Sequence, residues 1–341
     1  MNILVIKDDK PGHYNQTEGL LLSLKEIYPE VNVEYIDVEI QSKISRKILR
    51  VLLNSIESFF GKRDNAKYIK YFYSVYTLPT FAPDLIISTG GNTANLNVWF
   101  SKMYQSKNIL NGKLRGLKEE LFNYVTTVID LGYKNQILID VAPNTIRQEI
   151  LKESSLTFMQ KNSLYETYYT LLIGGDGAGY YYDDIFYENL IQAVINISKR
   201  DKIKWLITTS RRTPQQIEYK LKRELEGYYG YFVAYNEKPE KVLFPFFGLS
   251  KAIFVTEESS SMISEGISAR KPLYTITPYE AKPDKNYREI IEKFLEKGLI
   301  KSIPISQLEK YEIKNHDFKI LEDDAYIVIA ERLKPYLLER V

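Results

Sequence analysis

The chain lacks cysteine altogether and contains only two histidines, His13 and His316. The absence of cysteine excludes disulfides, thiolate nucleophiles and cysteine-ligated zinc or iron–sulfur clusters. Two histidines are too few for a multi-histidine metal site. We therefore expect neither a bound metal nor a resident cofactor.

Long hydrophobic runs are also missing. No apolar stretch approaches the roughly 18 residues that are needed to span a bilayer. The amino-terminal segment MNILVIKDD has no basic region or cleavage site of the secretory type. The formal net charge is only +2, so no global field favours nucleic acid as a partner. These features predict a cytoplasmic protein that does not bind nucleic acid.

Short apolar, β-branched runs are present almost from end to end, and they alternate with helical stretches. The first series of predicted strands covers residues 3–6, 33–37, 85–89, 125–130 and 137–141. The second series covers residues 169–174, 204–208, 231–235, 252–256 and 273–277. Strands separated by helical segments indicate βαβ crossovers and parallel sheets.

The 341 residues suit two domains of about 150 residues each. The polar stretch at 144–166 separates the two strand series. We predict an α/β fold of the GT-B-like type, with two Rossmann-like, doubly wound parallel-sheet domains, residues 1–150 and 165–322, facing a central cleft. Residues 323–341 are predicted to form a closing helix, kinked or broken near Pro335, that packs back on the first domain. In such folds ligands bind at the carboxyl ends of the strands.

The loop after the first strand carries two acids and a histidine. Asn15 has capping-box spacing, which predicts a helix that begins near it. Gly12 lets the backbone approach a ligand closely, and the helix start suits an anion. His13 at that positive end favours a neutral imidazole, the form that a general base requires, and Asp8 or Asp9 is an alternative base. The competing interpretation is that these residues only shape a tight turn.

A glycine pair follows the predicted strand 85–89. Gly90 and Gly91, followed by the start of a polar helix, are able to cradle a phosphate or line an acceptor pocket. A single glycine pair at such a junction is common, so a purely structural turn is the favoured interpretation.

A second glycine-rich loop opens the second domain. Four glycines fall within residues 174–179, beginning with Gly174 and Gly175. Their spacing is not the dinucleotide fingerprint. The segment is either a flexible phosphate-contacting loop or an interdomain loop, and Asp176 is either part of it or a helix cap.

Two arginines follow the strand 204–208, in the sequence Ser210, Arg211, Arg212, Thr213 and Pro214. Thr213 as N-cap and Pro214 in the first helical position predict a helix start. Guanidinium groups beside a helix start suit bidentate phosphate recognition. Anion binding is therefore favoured over a solvated arginine pair.

The last motif contains three consecutive serines at a predicted helix start, Ser259, Ser260 and Ser261. Their hydroxyls and amides suit phosphate. Glu265, further along the helix, is placed to accept both hydroxyls of a ribose. The preceding Glu257 and Glu258 lack the partners of a metal site, and we expect them to be solvated.

The segment from Lys43 to Tyr73 is strongly basic. It has eight lysines and arginines against two acids, with apolar residues among them at roughly helical spacing. Such a pattern is typical of a surface that faces anionic lipid. The alternative is a set of core-facing helices with a basic outer side.

Several of these motifs together carry a resemblance to a known family. They are KPGHYNQ at 10–16 with Gly-Leu at 19–20, LIGG at 172–175, TTSRRTP at 208–214, and VTEESSSMISE at 255–265 with Lys-Pro at 271–272. In this order they resemble the mitochondrial-fission-type family of plants and bacteria, whose members are similar to GT-B glycosyltransferases.

The resemblance implies two Rossmann-like domains with a nucleotide-sugar bound mainly by the second. It implies that Arg211 faces the donor diphosphate, that Ser260 and Ser261 support it, and that Glu265 holds the ribose. His13 is then expected to face the reacting sugar or the acceptor.

The leading prediction is a metal-independent glycosyltransferase that uses a nucleotide-sugar donor. Ser210 and Arg212 are counted with the donor site, and the acceptor is a glycan or a lipid-linked molecule at the inner membrane surface. A sugar-nucleotide epimerase and a non-catalytic scaffold with the same fold are the alternatives.

Overall fold

A computed structural model of the protein describes residues 1–313 and 318–338. The chain divides into two compact units, one formed by Met1–Thr145 with Ala325–Val341 and the other by Ile146–Asp324. His316 lies outside the described residues.

The first unit is built on a parallel sheet. Its strands are β1 (Asn2–Lys7), β2 (Asn32–Asp37), β3 (Glu39–Ile40), β4 (Tyr73–Val75), β5 (Leu85–Thr89), β6 (Lys107–Asn111), β7 (Tyr124–Thr127) and β8 (Gln136–Leu138). Its helices are α1 (Pro11–Ile27), α2 (Lys43–Ser55), α3 (Glu57–Phe60) and α4 (Gly91–Tyr104), with short 3-10 segments at Arg63–Tyr71 and Glu119–Leu121. Six strands form the sheet in the order β2-β1-β5-β6-β7-β8, and β3 pairs with β4 separately.

Two of the differences between the first unit and the sequence prediction concern helix α1 and strand β6. Helix α1 begins at Pro11 rather than near Asn15, because proline fixes a helical φ and needs no amide partner in the first turn. Strand β6 was not predicted, because Asn108 and Asn111 interrupt its apolar run. Both asparagines are buried, and the Asn108 amide donates to Asn97 Oδ1 at 2.8 Å.

The second unit repeats this architecture. Its strands are β9 (Tyr168–Leu172), β10 (Lys204–Thr208), β11 (Tyr229–Val233), β12 (Ser250–Thr256), β13 (Leu273–Thr277) and β14 (Lys301–Pro304). Its helices are α5 (Gln148–Asn162), α6 (Asp184–Asp201), α7 (Gln215–Glu224), α8 (Leu243–Leu249), α9 (Ser260–Ser268), α10 (Lys285–Glu296) and α11 (Ile305–Leu308). The parallel sheet has the order β11-β10-β9-β12-β13-β14. The predicted α/β fold with two doubly wound sheets is confirmed.

The polar stretch at 144–166 separates the two strand series, as predicted, and it contains helix α5, which belongs to the second unit. It packs closely on α8, since a Cβ at Gly248 would lie 2.4 Å from the Leu151 carbonyl oxygen and 2.6 Å from Ser155 Cβ. A contact made through backbone and small side chains leaves little apolar pattern in the sequence, and this explains why no helix was predicted there.

The carboxyl-terminal helix α12 (Ala325–Leu338) is part of the first unit. Tyr28, just after α1, donates from its hydroxyl to the Leu337 carbonyl at 3.1 Å. The helix is not broken at Pro335, in contrast to one of the two predicted outcomes. None of the helices within 1–313 and 318–338 is long and apolar enough to cross a membrane.

Each parallel sheet gathers the carboxyl ends of its strands at one edge. In the first unit β1 pairs directly with β5, so the loops that begin at Asp8 and Gly90 are neighbours. In the second unit β9 lies between β10 and β12. The loops carrying Gly174, Arg211 and Glu258 therefore meet at the same edge.

Candidate functional site

A carboxylate–imidazole pair lies at the end of β1. His13 Nδ1 lies 3.0 Å from both carboxylate oxygens of Asp8. The Asp8 side chain is 1% exposed and that of His13 is 29% exposed. Because a carboxylate accepts hydrogen bonds, the proton of the neutral imidazole is held on Nδ1, and Nε2 keeps a lone pair. The pair is thus arranged as an oriented base, with Asp8 as its positioning partner and Asp9 exposed to solvent.

Gly90 packs against this imidazole. A Cβ at position 90 would lie 2.3 Å from His13 Cε1, and the φ of Gly90 is +92°. Both the contact and the backbone angle require glycine. The glycine pair was expected to be structural or phosphate-binding. Gly90 has a structural role, because its lack of a side chain lets the His13 ring pack against it.

A pocket of about 310 Å³ opens beside His13 within the first unit. Its lining residues are Lys10, His13, Arg46, Arg50, Gly91, Asn95, Leu114, Arg115 and Leu117. A larger and more open depression of about 710 Å³ lies near β8 and α12, but His13 is not among its lining residues. The smaller pocket is therefore the candidate site.

The second unit contains a buried carboxylate where solvated acids were expected. Glu258 is 3% exposed. It accepts from Arg212 Nη2 at 2.8 Å and from the Gly175 amide at 3.1 Å, and its other oxygen accepts from the Tyr182 hydroxyl at 2.8 Å. Burial raises the pKa of the Glu258 carboxyl, and Arg212 partly opposes that shift. The prediction of solvated acids is wrong, because partners from distant loops satisfy this group.

Its neighbour Glu257 is buried as well, at 5% exposure. Tyr180 donates to Glu257 Oε1 at 2.9 Å. The hydroxyls of Thr275 and Ser302 both donate to the other oxygen, at 2.5 Å. Glu257, just after β12, therefore links that strand to β13 and β14, which is a structural role.

The two adjacent arginines have different surroundings. Arg212 is bound to Glu258 and contributes an amide that donates to Ser210 Oγ at 3.1 Å. Arg211 is exposed, and within the described part of the chain its guanidinium makes no hydrogen bond or ion pair. Of the predicted pair, Arg211 is thus the one whose guanidinium is available to a ligand.

The glycine-rich loop is explained by close packing on these groups. A Cβ at Gly174 would lie 1.5 Å from Glu258 Oε1, and one at Gly175 would lie 2.3 Å from the Arg212 carbonyl oxygen. Asp176 accepts from the Tyr182 amide at 2.9 Å, so it stabilises the loop. These contacts favour a packed turn over a flexible loop.

The predicted helix start after Arg212 is displaced by one residue. Pro214 occupies the N-cap and α7 begins at Gln215. The Thr213 hydroxyl instead donates to the carbonyl oxygens of Ile173 and Gly174. It therefore stabilises the junction with the glycine-rich loop rather than capping the helix.

The serine motif does start a helix. Ser259 is the N-cap of α9, and Ser260 is its first residue. The Ser259 and Ser261 hydroxyl oxygens lie 3.4 Å apart. Amides of a first helical turn have no partner inside the helix, so this end suits an anion. Glu265 is half-buried on the same helix.

No group of three or more His, Asp or Glu side chains is placed to hold a metal ion among residues 1–313 and 318–338. Sequence reasoning missed the grouping of Arg46, Arg50 and Arg115 around His13. It counted the first two as part of a lipid-facing surface and did not single out Arg115. Their basic character was the available signal, but only the fold brings them together.

Two parallel six-stranded sheets with these loops at their carboxyl edges define a GT-B-like protein. The profile of the family described as "Mitochondrial fission ELM1" matches residues 11–327, and the chain belongs to that family. The resemblance inferred from the motifs is thereby confirmed. An uncharacterized protein of Rickettsia prowazekii is 22% identical over 364 aligned positions, which cover 92% of this chain and 94% of that protein.

Solved structures agree on the fold. UDP-GlcNAc 2-epimerase from Methanocaldococcus jannaschii has a TM-score of 0.61 at 10% identity, covering 99% of this chain and 100% of that one. The Neisseria meningitidis 2-epimerase bound to UDP-GlcNAc has a TM-score of 0.57 at 11% identity, with 100% of both chains covered.

Proposed function

We propose that this protein is a metal-independent glycosyltransferase that moves a sugar from a nucleotide-sugar donor to a glycan or lipid-linked acceptor. In this reaction the acceptor hydroxyl loses its proton and its oxygen bonds to the anomeric carbon. The bond between that carbon and the diphosphate breaks, and the nucleoside diphosphate leaves with the bonding electrons.

The observation that carries the proposal is the Asp8–His13 pair at the edge of its own pocket. Asp8 holds the imidazole proton on Nδ1 at 3.0 Å, so Nε2 is free to take a proton from an acceptor. The pocket in the first unit offers room for a second substrate. An enzyme that only rearranges its nucleotide-sugar has no need of an acceptor pocket.

The second unit supplies the chemistry for the donor. The exposed guanidinium of Arg211 and the amino-terminal turn of α9 at Ser259 both suit a diphosphate. Positive charge aimed at the leaving diphosphate is the main electrostatic task in this transfer. Glu265, on α9, is proposed to hold the ribose hydroxyls.

A lipid-linked acceptor is supported by the outer face of α2. Ile44, Ile48 and Val51 are 70%, 50% and 60% exposed, at a spacing that places them on one side of the helix. The exposed Lys47 lies on the same helix. An exposed apolar stripe beside basic side chains is the pattern of a helix that lies on an anionic membrane.

Nucleotide binding is the first test. Thermal shifts with UDP, GDP, CDP, CMP and TDP are expected to single out one base, because a ligand that binds the folded chain raises its melting temperature. Arg211→Ala is expected to abolish that shift. The matched control Arg223→Ala, an exposed arginine paired with Glu224 at 2.7 Å on α7, should leave it unchanged. Absence of a shift with every nucleotide would contradict the donor site and favour a scaffold.

The second candidate is a sugar-nucleotide epimerase, which the fold shared with the UDP-GlcNAc 2-epimerases favours. Incubation with the identified nucleotide-sugar in the absence of acceptor separates the two activities. An epimerase produces a rearranged sugar under these conditions, whereas a transferase requires an added acceptor before the nucleoside diphosphate accumulates at its full rate.

Membrane contact is tested by flotation with vesicles that contain anionic lipid. Binding should weaken with salt and in a variant that carries serine at positions 44, 48 and 51. The control is Ile185→Ser, which removes an apolar side chain that is 58% exposed in the second unit. Flotation that is equal in both variants would contradict the role of α2.

A further inference from the structure

The pocket beside His13 has four cationic side chains in its wall, those of Lys10, Arg46, Arg50 and Arg115. Within the described residues none of the four forms an ion pair with a carboxylate. Arg46 Nη1 donates to Asn92 Oδ1 at 3.0 Å, and Arg50 Nη1 donates to the Arg115 carbonyl oxygen at 2.5 Å. These are neutral acceptors, so among the described residues no carboxylate pairs directly with the positive charges of the pocket.

Like charges that share a small volume repel one another, and a bound anion removes that cost. The side chains come from three separate segments: the start of α1, helix α2 and the loop after β6. A basic outer side of a single helix would not collect charge in this way. The arrangement is therefore that of a preformed anion site.

The backbone at Arg115 gives an independent indication. Arg115 has a φ of +55°, in the left-handed region that residues other than glycine rarely adopt. Gly116 follows with a φ of +90°, and a Cβ at that position would lie 3.1 Å from Arg50 Nη1. The strained turn brings the carbonyl of Arg115 to Arg50 and its side chain to the pocket wall. A strained residue at a pocket points to a function for its side chain.

We infer that this pocket binds a phosphate-type anion carried by the acceptor. The inference rests on the proposed function, because it takes the substrate beside His13 to be the acceptor, and it narrows that substrate to a phosphorylated class. A guanidinium group binds two oxygens of a phosphate at once. A volume of about 310 Å³ holds a phosphate group together with a small part of the molecule that carries it. Since His13 lines the same pocket, a hydroxyl of the anchored acceptor is presented to the base.

Inorganic pyrophosphate is a suitable probe, titrated calorimetrically into the full chain. The background variant Arg211→Ala removes the proposed phosphate side chain of the second unit. In that background Arg115→Gly is expected to weaken pyrophosphate binding roughly tenfold or more, the loss that follows from one charge-assisted contact. Glycine adopts the φ of +55° without strain, so this variant should fold at least as well as its parent. Arg46→Gln should give a similar loss.

The matched control is Lys25→Gln, which removes an exposed charge from α1 outside the pocket lining. Its pyrophosphate affinity is expected to stay within about twofold of the parent, as for an exposed charge. Equal affinities in Arg115→Gly and Lys25→Gln, or no binding in the Arg211→Ala background, would overturn the inference.

The proposed transferase activity and the proposed anion pocket can be contradicted by different results. Nucleotide shifts without pyrophosphate binding in the first unit would leave the donor site standing and overturn the anion pocket. Pyrophosphate binding that depends on Arg115, without any nucleotide shift, would leave the pocket standing and contradict the transferase.

The source of the anion is resolved by competition. Vesicles whose lipid carries a phosphomonoester headgroup should displace pyrophosphate if the acceptor is lipid-borne, and phosphatidylcholine vesicles should not. Displacement by a soluble sugar phosphate but not by such vesicles would assign a soluble acceptor, and both results support the phosphate class.

Discussion

In each of the two units a buried carboxylate in a loop after a strand pairs with a basic side chain, but the two pairings have different consequences. In the first unit the buried carboxylate of Asp8 holds His13 at 3.0 Å, and in the second the buried carboxylate of Glu258 holds Arg212 at 2.8 Å. The first pairing leaves Nε2 of the imidazole free for chemistry. The second uses the guanidinium to fasten a glycine-rich loop, and the neighbouring Arg211 is the cation left to a ligand. A buried acid thus orients an imidazole in one loop and stabilises the other loop.

The largest expected effect is that of losing the pairing between Asp8 and His13. His13→Ala should lower the transfer rate by about 10²- to 10⁴-fold, because it removes the proposed base. Donor affinity in the nucleotide panel should be unchanged, since the proposed donor site lies in the second unit. Near-normal turnover would show that His13 is not the base.

Loss of the second pairing should act on stability. Glu258→Ala leaves Arg212 without its partner, and the Gly175 amide and the Tyr182 hydroxyl without an acceptor. We expect a loss of about 2–4 kcal/mol in the free energy of unfolding, measured by urea denaturation. The matched control is Glu188→Ala, which breaks an exposed pair with Lys220 at 3.1 Å and should cost less than about 1 kcal/mol. Equal losses would contradict the structural role of Glu258.

A smaller effect is expected when the contact between Gly90 and the imidazole of His13 is disturbed. Gly90→Ala combines a positive φ with a clash at 2.3 Å from His13 Cε1, so we expect a loss of about 1–3 kcal/mol together with reduced turnover. Gly132→Ala is the control, because Gly132 has a φ of +75° and no atom within 4 Å of the added Cβ. It should show the backbone strain alone and normal turnover. Normal turnover in both variants would contradict the placement of His13 by Gly90.

The smallest expected effect concerns pH. Burial raises the folded-state pKa of Glu258 above the ordinary value of 4.5, so the folded state binds more protons than the unfolded state above that pH. Its contribution to stability is therefore fully present below pH 4.5 and is lost as the pH rises through the folded-state pKa. The difference in unfolding free energy between wild type and Glu258→Gln should shift against wild type as the pH rises above 4.5. A difference that does not vary with pH would contradict the raised pKa.

The sequence by itself determined the fold class and identified the loops that follow the parallel strands as the candidate site. Buried parallel strands need apolar residues on both faces, and the loops that follow them gather at one sheet edge, so Asp8, His13, Gly90, Arg211 and Ser260 were identified from local patterns. Where local chemistry was ambiguous, as for buried asparagines in β6 or the small-residue contact of α5, the pattern failed.

Only the tertiary structure decided how these groups are paired. Glu258 looks solvated in the sequence because its partners Arg212, Gly175 and Tyr182 lie on other loops. The choice between Arg211 and Arg212, and the joining of cations from α2 and the loop after β6, likewise depend on segments far apart in the chain. Burial and charge pairing are set by such long-range contacts, whereas strand and helix patterns are set by neighbours, and this is the physical reason for the division.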